Sequence, residues 1–201
     1  MNVCRRSLLA SGAGLALAAT LPSFEAIAGT GTGAASGILR RALAALDRHG
    51  AAIPHRDVMA VADFSLPSRL PRFHIVDLAS GGMKSYLVAH GRGSDPGHTG
   101  WLQRFSNAPG SYATASGAYR TEGVYAGKHG RSIRLAGLDP SNDNALVRAI
   151  VVHGAWYVSP AMARAHGVLG RSEGCFALDT ANLPEILERL GPGRLIYADK
   201  V

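Results

Sequence analysis

The chain has 201 residues, of which 47% are hydrophobic, so a globular fold is expected and intrinsic disorder is excluded. This length suits a single domain with a sizeable core. The formal net charge is +7, but the basic residues are scattered without aromatic residues between them, which argues against a nucleic-acid partner.

The N-terminal segment predicts an export signal. Arg5 and Arg6 form a positively charged start, an apolar stretch runs from Leu8 to Leu21, and Ala26-Ile27-Ala28 fits a cleavage site. We therefore expect a signal peptide over 1–28 and a periplasmic mature protein, with the general secretory and twin-arginine routes both open. No later stretch is apolar for long enough to cross a bilayer, so no stable membrane insertion is expected after cleavage.

Cysteine usage narrows the possible chemistry. The sequence contains 2 cysteines, and Cys4 would be removed with the signal. Cys175 would then be the only cysteine of the mature chain and could not form an internal disulfide. A single free thiol outside the reducing cytoplasm is either buried and inert or used for chemistry, and its neighbours decide between the two.

The first half of the mature chain predicts one helix followed by β structure. A flexible leader is expected over 29–37, with Ser36 as the N-cap of a helix over 38–48. Leader and helix together form an N-terminal region over 29–50. The predicted strands span 58–64, 72–78 and 84–90, the last two as a hairpin, and a long loop follows over 91–110.

The second half predicts short strands that alternate with short helices. An apolar run over 149–152 indicates a buried strand that ends at His153. Ser159-Pro160 predicts a helix start, because proline is favoured in a first turn. The other predicted strands cover 112–114, 117–121, 132–135 and 194–198, and the other predicted helices cover 142–148 and 179–190.

The stretch around Cys175 carries the strongest chemical signal. Cys175 follows Ser172-Glu173-Gly174 at the end of a glycine-punctuated loop, and the backbone N–H groups of that glycine and of the cysteine could form an oxyanion hole. An unperturbed thiol has a pKa of about 8.5 and is only slightly ionised at neutral pH, so it needs a base. Among 8 histidines, His153 is the best placed at a strand end, and His129 is its competitor.

A family resemblance rests on these residues. His153-Gly154-Ala155 followed by Gly170-Arg171-Ser172-Glu173-Gly174-Cys175 resembles the catalytic domain of the L,D-transpeptidases of YkuD type. The run from Tyr125 to Leu135, together with residues 142–158, resembles the murein branch of that family. The resemblance extends over roughly 72–198, and it implies a β-rich α+β catalytic domain over 51–201, with mixed β-sheets and a few flanking helices.

The resemblance also implies a covalent mechanism. Cys175 would attack the carbonyl of an L-residue that precedes a D-residue in a donor stem peptide of peptidoglycan, with His153 as base and the Gly154 carbonyl orienting the imidazole. A side-chain amine of an acceptor stem peptide would resolve the thioester. Ser172 and Gly174 belong to the motif around the thiol. No metal or organic cofactor is implied, a monomer is expected, and carbapenems should acylate the enzyme.

Substrate contacts are expected from residues that match the wider motif or flank the catalytic pair. They are Tyr125, Lys128, His129, Arg134, Trp156 and Arg171. Two positions depart from the commonest pattern, since Glu173 stands where many relatives carry His or Arg, and Ala177 where many carry Arg or Asn. The cross-link type therefore stays open, between third-position residues or from a first-position residue.

Two other functions remain open from the sequence. A carboxypeptidase or other cysteine peptidoglycan hydrolase would use the same cysteine and histidine with water as the acceptor. A non-catalytic wall-binding module would agree with the basic charge and with Glu173, because an acidic neighbour should raise the pKa of Cys175 and slow its attack.

Overall fold

A computed structural model describes residues 33–201, and the expected signal peptide lies outside this part of the chain. The α-helices are α1 (Gly33–Arg48), α2 (Pro160–His166) and α3 (Leu183–Leu190). The strands are β1 (Val58–Asp63), β2 (Phe73–Asp77), β3 (Met83–Tyr86), β4 (Val88–Ala89), β5 (Gly117–Gly127), β6 (Gly130–Gly137), β7 (Val151–Gly154), β8 (Phe176–Leu178) and β9 (Leu195–Asp199). No helix within residues 33–201 is long and apolar enough to cross a membrane.

These strands form one 9-stranded sheet in the order β3-β2-β1-β9-β5-β6-β7-β8-β4. Most neighbours are antiparallel, but β1 pairs with β9 and β7 pairs with β8 in parallel. A parallel pair needs a crossover connection, and the chain between β7 and β8 contains α2. The sheet is therefore mixed, and the predicted β-rich α+β fold is confirmed.

Both faces of the sheet are covered near its centre. Every residue of β1 is buried, because alternate side chains enter two different hydrophobic clusters. Ala60 and Ala62 belong to the cluster that contains the apolar side of α3, whereas Met59 and Val61 belong to the cluster that contains α1. Helix α1 therefore packs on the sheet as part of the same domain core.

Several predicted elements are confirmed with small changes in their ends. The predicted hairpin forms between β2 and β3, with Phe73 opposite Tyr86, and the chain then leaves it so that β4 can pair with β8. The predicted cap of α2 is also present, since the Ser159 hydroxyl accepts the Met162 N–H at 3.1 Å. The strand that was predicted to end at His153 is β7.

The predicted helix over 142–148 is wrong, because these residues form consecutive turns. Asn142 is buried, and its side-chain amide donates to the Ala118 carbonyl oxygen at 2.9 Å. Its side-chain oxygen accepts the Asp139 N–H at 3.0 Å. These bonds tie the turn to β5 and compete with helix formation.

Three other boundaries differ from the sequence prediction. Helix α1 begins at Gly33, so Ser36 lies inside the helix and is not its N-cap. Residues 112–114 form no strand, because Tyr112 has a left-handed φ of +52°. Helix α3 begins at Leu183, and the residues before it form a turn in which the Asp179 carboxylate accepts a backbone N–H.

Candidate active site

The loop before Cys175 is held by the hydroxyl of Ser172. That hydroxyl donates to the Cys175 carbonyl oxygen at 2.7 Å and accepts the Gly174 N–H at 3.1 Å. Gly174 has a φ of +117°, and a Cβ at this position would lie 2.7 Å from the Ala113 carbonyl oxygen. Serine and glycine thus fix the backbone at the cysteine, and the Gly174 N–H is already used by Ser172 rather than open to an oxyanion.

Cys175 and His153 lie on the same face of the sheet. Strands β7 and β8 pair with Val152 opposite Phe176, and continuing this register places Cys175 beside Val151. His153 lies on the neighbouring strand two residues further along, a diagonal separation of about 7–8 Å between Cα atoms. Because side chains alternate between faces, both residues project from the face opposite Phe176.

The imidazole of His153 is buried and fixed in one tautomer. Only 2% of the residue is exposed, and Nδ1 donates to the Gly154 carbonyl oxygen at 2.9 Å. A carbonyl can only accept, so the proton lies on Nδ1 and the lone pair of Nε2 is left for another partner. Burial lowers the pKa of His153, which keeps the ring uncharged at neutral pH.

The thiol of Cys175 is half-buried, and its hydrogen bond goes to a backbone carbonyl. Sγ donates to the Ala149 oxygen at 3.6 Å, and no hydrogen bond joins it to His153 within residues 33–201. Ala149 has a left-handed φ of +52°. Burial raises the pKa of Cys175, and the Val151 N–H acts in the opposite direction. The resting pair is therefore an uncharged thiol and an uncharged imidazole.

A guanidinium that the sequence did not predict to be near the site lies beside Cys175. Arg148 lowers the pKa of Cys175 through its charge, against the larger effect of burial. It donates to the carbonyl oxygens of Ser106, at 2.8 Å, and Ala113, and its Nη2 would lie 3.0 Å from a Cβ at Gly174. No carboxylate pairs with it in the described part of the chain. Its position directly before β7 was the available sequence signal.

We call Cys175, His153 and Arg148 the thiol site. The turn between β5 and β6 adds Lys128 and His129 to it, both of them exposed. The His129 ring stacks on the His153 ring, with centroids 4.2 Å apart and planes inclined by 23°. The positive charge of Lys128 also lowers the pKa of Cys175, although less than burial raises it. Two sequence-predicted substrate residues therefore border the thiol site.

Tyr125 and Arg134 lie on the same face as the thiol site, further along the sheet. Tyr125 pairs with Ser132, which pairs with His153, and Arg134 pairs with Val151. The Arg134 guanidinium stacks on the Tyr125 ring at 3.9 Å from the centroid. Neighbouring strands are about 4.8 Å apart, so Tyr125 on β5 starts roughly 10 Å from His153 on β7, whereas Arg134 on β6 starts only one strand spacing from β7. Both side chains are within reach of a peptide bound at the thiol site.

Arg171 and Trp156 are held by other contacts than the thiol. Arg171 donates through Nη1 to the carbonyl oxygens of Asp95 and Pro96, the second at 3.2 Å. Trp156 is 80% exposed and packs edge-on against Tyr157, with ring centroids 5.8 Å apart. Among the described contacts, neither side chain bonds to the cysteine or to the histidine.

Glu173, the acidic departure from the family motif, has its own cation. Its Oε1 lies 3.2 Å from Nη2 of Arg92, and the Arg92 guanidinium lies over the Tyr112 ring at 3.8 Å. Glu173 raises the pKa of Cys175 as expected, but burial is the larger cause. Arg92 was missed because it lies in the predicted long loop over 91–110, whose residues follow no periodic pattern, and Tyr112 was missed because it was predicted to lie in a strand.

A second group of charged residues lies inside the protein, and we call Arg72, His90 and Asp95 the buried arginine cluster. Arg72 has no exposed surface, and it donates to the Val88 carbonyl oxygen at 3.0 and 3.1 Å and to the Leu66 carbonyl oxygen at 2.8 Å. It also donates to Nδ1 of His90 at 2.7 Å. Burial lowers the pKa of Arg72 to about 9 and that of His90 to about 4.

The buried arginine cluster supports the loop that carries Cys175. Nε2 of His90 faces Oδ2 of Asp95 at 3.4 Å, and the Asp95 carboxylate accepts the N–H groups of Thr99 and Gly100 at 2.9 and 2.8 Å. The His90 carbonyl oxygen accepts the Ser172 N–H at 2.9 Å.

Within residues 33–201, no group of three or more His, Cys, Asp or Glu side chains could hold a metal ion.

Comparison with known families identifies the class of protein. The family model described as the L,D-transpeptidase catalytic domain, YkuD_2, matches residues 32–198. The chain therefore belongs to the L,D-transpeptidase catalytic domain family. The match includes α1 as well as the sheet, in agreement with the packing of that helix in the domain core.

Solved structures with a similar fold are distant in sequence. An L,D-transpeptidase from Mycobacterium smegmatis is 14% identical, with a TM-score of 0.43 and coverage of 71% of this chain and 58% of that chain. The helical cell shape determining protein Pgp2 from Campylobacter jejuni is 14% identical, with a TM-score of 0.45 and coverage of 71% and 47%. The chain thus spans less than two thirds of either relative. A search of curated proteins finds no match.

Proposed function

We propose that this protein is an exported, periplasmic cysteine L,D-transpeptidase that acts on peptidoglycan stem peptides, with Cys175 as nucleophile and His153 as general base. The observation that carries the proposal is the hydrogen bond from Nδ1 of His153 to the Gly154 carbonyl. It leaves a basic nitrogen on the face of the sheet that also carries the half-buried thiol.

In the proposed first half-reaction, the Cys175 thiol leaves the Ala149 carbonyl and turns toward His153. Nε2 takes the proton while Sγ attacks the carbonyl of an L-residue in the donor stem peptide. The Arg148 charge stabilises the sulfur as it becomes negative, and the Cys175 N–H binds the negative oxygen of the tetrahedral intermediate. The protonated imidazole then gives its proton to the amine of the departing D-residue, and a thioester remains.

In the second half-reaction, the amine of an acceptor stem peptide attacks the thioester. His153 takes a proton from that amine, the carbon–sulfur bond breaks, and the proton returns to Sγ. Tyr125, Lys128, His129 and Arg134 would contact the stem peptides, since they border the face from which the thiol is reached. Cross-links of the 3-3 and 1-3 types both remain within this proposal.

Acylation by a carbapenem tests the nucleophile. Intact-protein mass spectrometry of the purified protein should show one covalent adduct, and a digest should place that adduct on Cys175. The Cys175→Ala variant should show none, whereas the His55→Gln control, which changes an exposed residue away from the site, should react as the wild type. An equal adduct on Cys175→Ala would overturn the assignment.

Product analysis tests the acceptor. Purified muropeptides incubated with the wild-type protein should yield dimers together with released D-residue, because an amine resolves the thioester. Trimmed monomers without dimers would instead establish a hydrolase that uses the same two residues, and the transpeptidase assignment would be withdrawn.

A further inference from the structure

An open pocket of about 280 Å³ lies next to the loop that carries Cys175. Its lining residues are Arg92, Gly93, Pro96, Tyr112 and Arg171. Two of these are arginines, and no acidic residue is among the lining residues. We call this the arginine pocket, and the mechanism proposed above leaves it without a role.

The protein holds the two guanidinium groups of the arginine pocket in place but uses only some of their N–H donors. The Arg92 guanidinium lies over the Tyr112 ring, 3.8 Å from its centroid, and the side chain remains 50% exposed. Arg171 uses Nη1 for backbone carbonyl oxygens, and its Nε and Nη2 groups have no hydrogen-bond acceptor within residues 33–201. An arginine has five N–H donors, so most of the donors around the pocket are open to a ligand.

The backbone around the pocket is packed tightly enough to hold this arrangement. A Cβ at Gly93 would lie 1.9 Å from the Ser111 carbonyl oxygen, and a Cβ at Gly91 would lie 2.3 Å from that of Tyr112. Tyr112 itself has a left-handed φ of +52°, which an L-residue adopts at a cost of about 1–2 kcal/mol. Strain of this kind persists where the surrounding structure enforces it, and it is frequent at binding sites.

The Glu173 carboxylate forms an ion pair with Arg92, one of the lining residues of this pocket. Oε1 of Glu173 lies 3.2 Å from Nη2 of Arg92, and the Glu173 side chain is 62% exposed. An exposed ion pair of this type contributes only about 0–1 kcal/mol, so a ligand carboxylate can replace it at small cost. Glu173 is two residues from Cys175, so their Cα atoms are at most about 7 Å apart.

We propose that the arginine pocket is the subsite for a carboxylate of the stem peptide, and this inference rests on the proposed function. Planar guanidinium groups bind carboxylates through paired N–H donors, which fixes both position and orientation. The carboxylate of the departing D-residue is close to the attacked carbonyl, roughly 4 Å away, and the arginine pocket borders the loop that presents Cys175 to that carbonyl. A diaminopimelate carboxylate has the same chemistry, and the experiment separates the two sources.

Calorimetry on the Cys175→Ala protein measures binding without turnover. Three synthetic tetrapeptide stems are compared: one unmodified, one with a C-terminal amide, and one with the diaminopimelate carboxylate amidated. We expect one of the two amidations to weaken binding roughly tenfold, because a charge-assisted hydrogen bond is lost. That amidation identifies which carboxylate occupies the pocket.

The arginines are then replaced in the same background. With Arg92→Gln and Arg171→Gln combined, the unmodified stem should bind roughly tenfold more weakly, and the effective amidation should have no further effect. The matched control is Arg40→Gln, which changes an exposed arginine on α1 and should leave all affinities unchanged. If neither amidation matters, or if the double variant weakens all three stems equally, the subsite is overturned.

Turnover of muropeptides by the wild-type protein is measured in parallel, so that the two proposals can fail separately. Turnover with affinities that ignore the carboxylates would refute the subsite and leave the transpeptidase proposal standing. Carboxylate-dependent binding without any turnover would support the subsite and refute the transpeptidase proposal.

Discussion

The buried arginine cluster and the thiol site are neighbours, but they satisfy their charges differently. Arg72 has no exposed surface, and it faces two backbone carbonyls, an imidazole and the nearby Asp95 carboxylate. Arg148 is half-buried, binds two loop carbonyls and has no carboxylate partner within residues 33–201. The difference indicates that the first cation holds the backbone in place, whereas the second is available to a charge that appears only during reaction.

The largest expected effect comes from replacing His153, the proposed base of the thiol site. We expect His153→Gln to lower the rate of carbapenem acylation by about 10²–10⁴-fold, because glutamine cannot accept the thiol proton. Glutamine can still donate to the Gly154 carbonyl, so the midpoint of urea unfolding should change little. A single-turnover mass-spectrometric time course measures the rate, with His55→Gln as the control. A rate within threefold of the wild type would remove His153 from the mechanism.

The corresponding change in the buried arginine cluster should act on stability. We expect Arg72→Met to lower the free energy of unfolding by about 3–5 kcal/mol, because it leaves the Val88 and Leu66 carbonyl oxygens and Nδ1 of His90 without their buried donor. Urea unfolding at neutral pH measures this loss, and Arg40→Met, on the exposed side of α1, should change it by less than about 0.5 kcal/mol. A loss below 1 kcal/mol for Arg72→Met would mean that the cluster does not support the fold.

The smallest expected effect tests the role of Arg148. A positive charge favours the thiolate, so its removal in Arg148→Gln should raise the pKa of Cys175 and move the pH profile of iodoacetamide alkylation to higher pH. We expect the alkylation rate at pH 7 to fall about two- to fivefold, because burial, the Val151 N–H and the Lys128 charge each affect the pKa of Cys175 more than Arg148 does. Mass spectrometry of the Cys175 peptide measures it, and Arg148→Lys should retain most of the rate. A profile that stays in place in Arg148→Gln, or that moves equally in Arg148→Lys, would assign Arg148 a structural role only.

Periodic hydrophobic patterns were sufficient to predict most of the sheet. The strand before His153 and the hairpin of β2 and β3 were predicted because buried strands require runs or alternations of apolar residues. The helix predicted over 142–148 failed for a non-local reason, since the Asn142 side chain bonds to a strand more than twenty residues earlier. The strand predicted over 112–114 was wrong because the neighbouring residues do not predict the left-handed φ of Tyr112.

The residues of the candidate site likewise divide into those that a local motif predicts and those that depend on contacts between distant segments. Ser172 and Gly174 act on Cys175 through bonds within one loop, so a short motif was enough to suggest their roles. Arg148 reaches the nucleophile through contacts with the 106–113 segment, and Arg92 reaches Glu173 across two loops. Such contacts depend on how segments that are far apart in the sequence pack together, and local spacing in the sequence does not predict that packing.

The hydrogen bond between the Cys175 thiol and the Ala149 carbonyl has a consequence for the lifetime of the protein. An ionised cysteine sulfur attacks peroxides and disulfides, and is thereby oxidised, far faster than a protonated one. A sulfur that keeps its proton and rests against a carbonyl therefore reacts more slowly with such oxidants. In the proposed mechanism, the contact that delays attack by Cys175 would also protect its sulfur, and a peptide that draws the sulfur away from Ala149 would activate it only when substrate is bound.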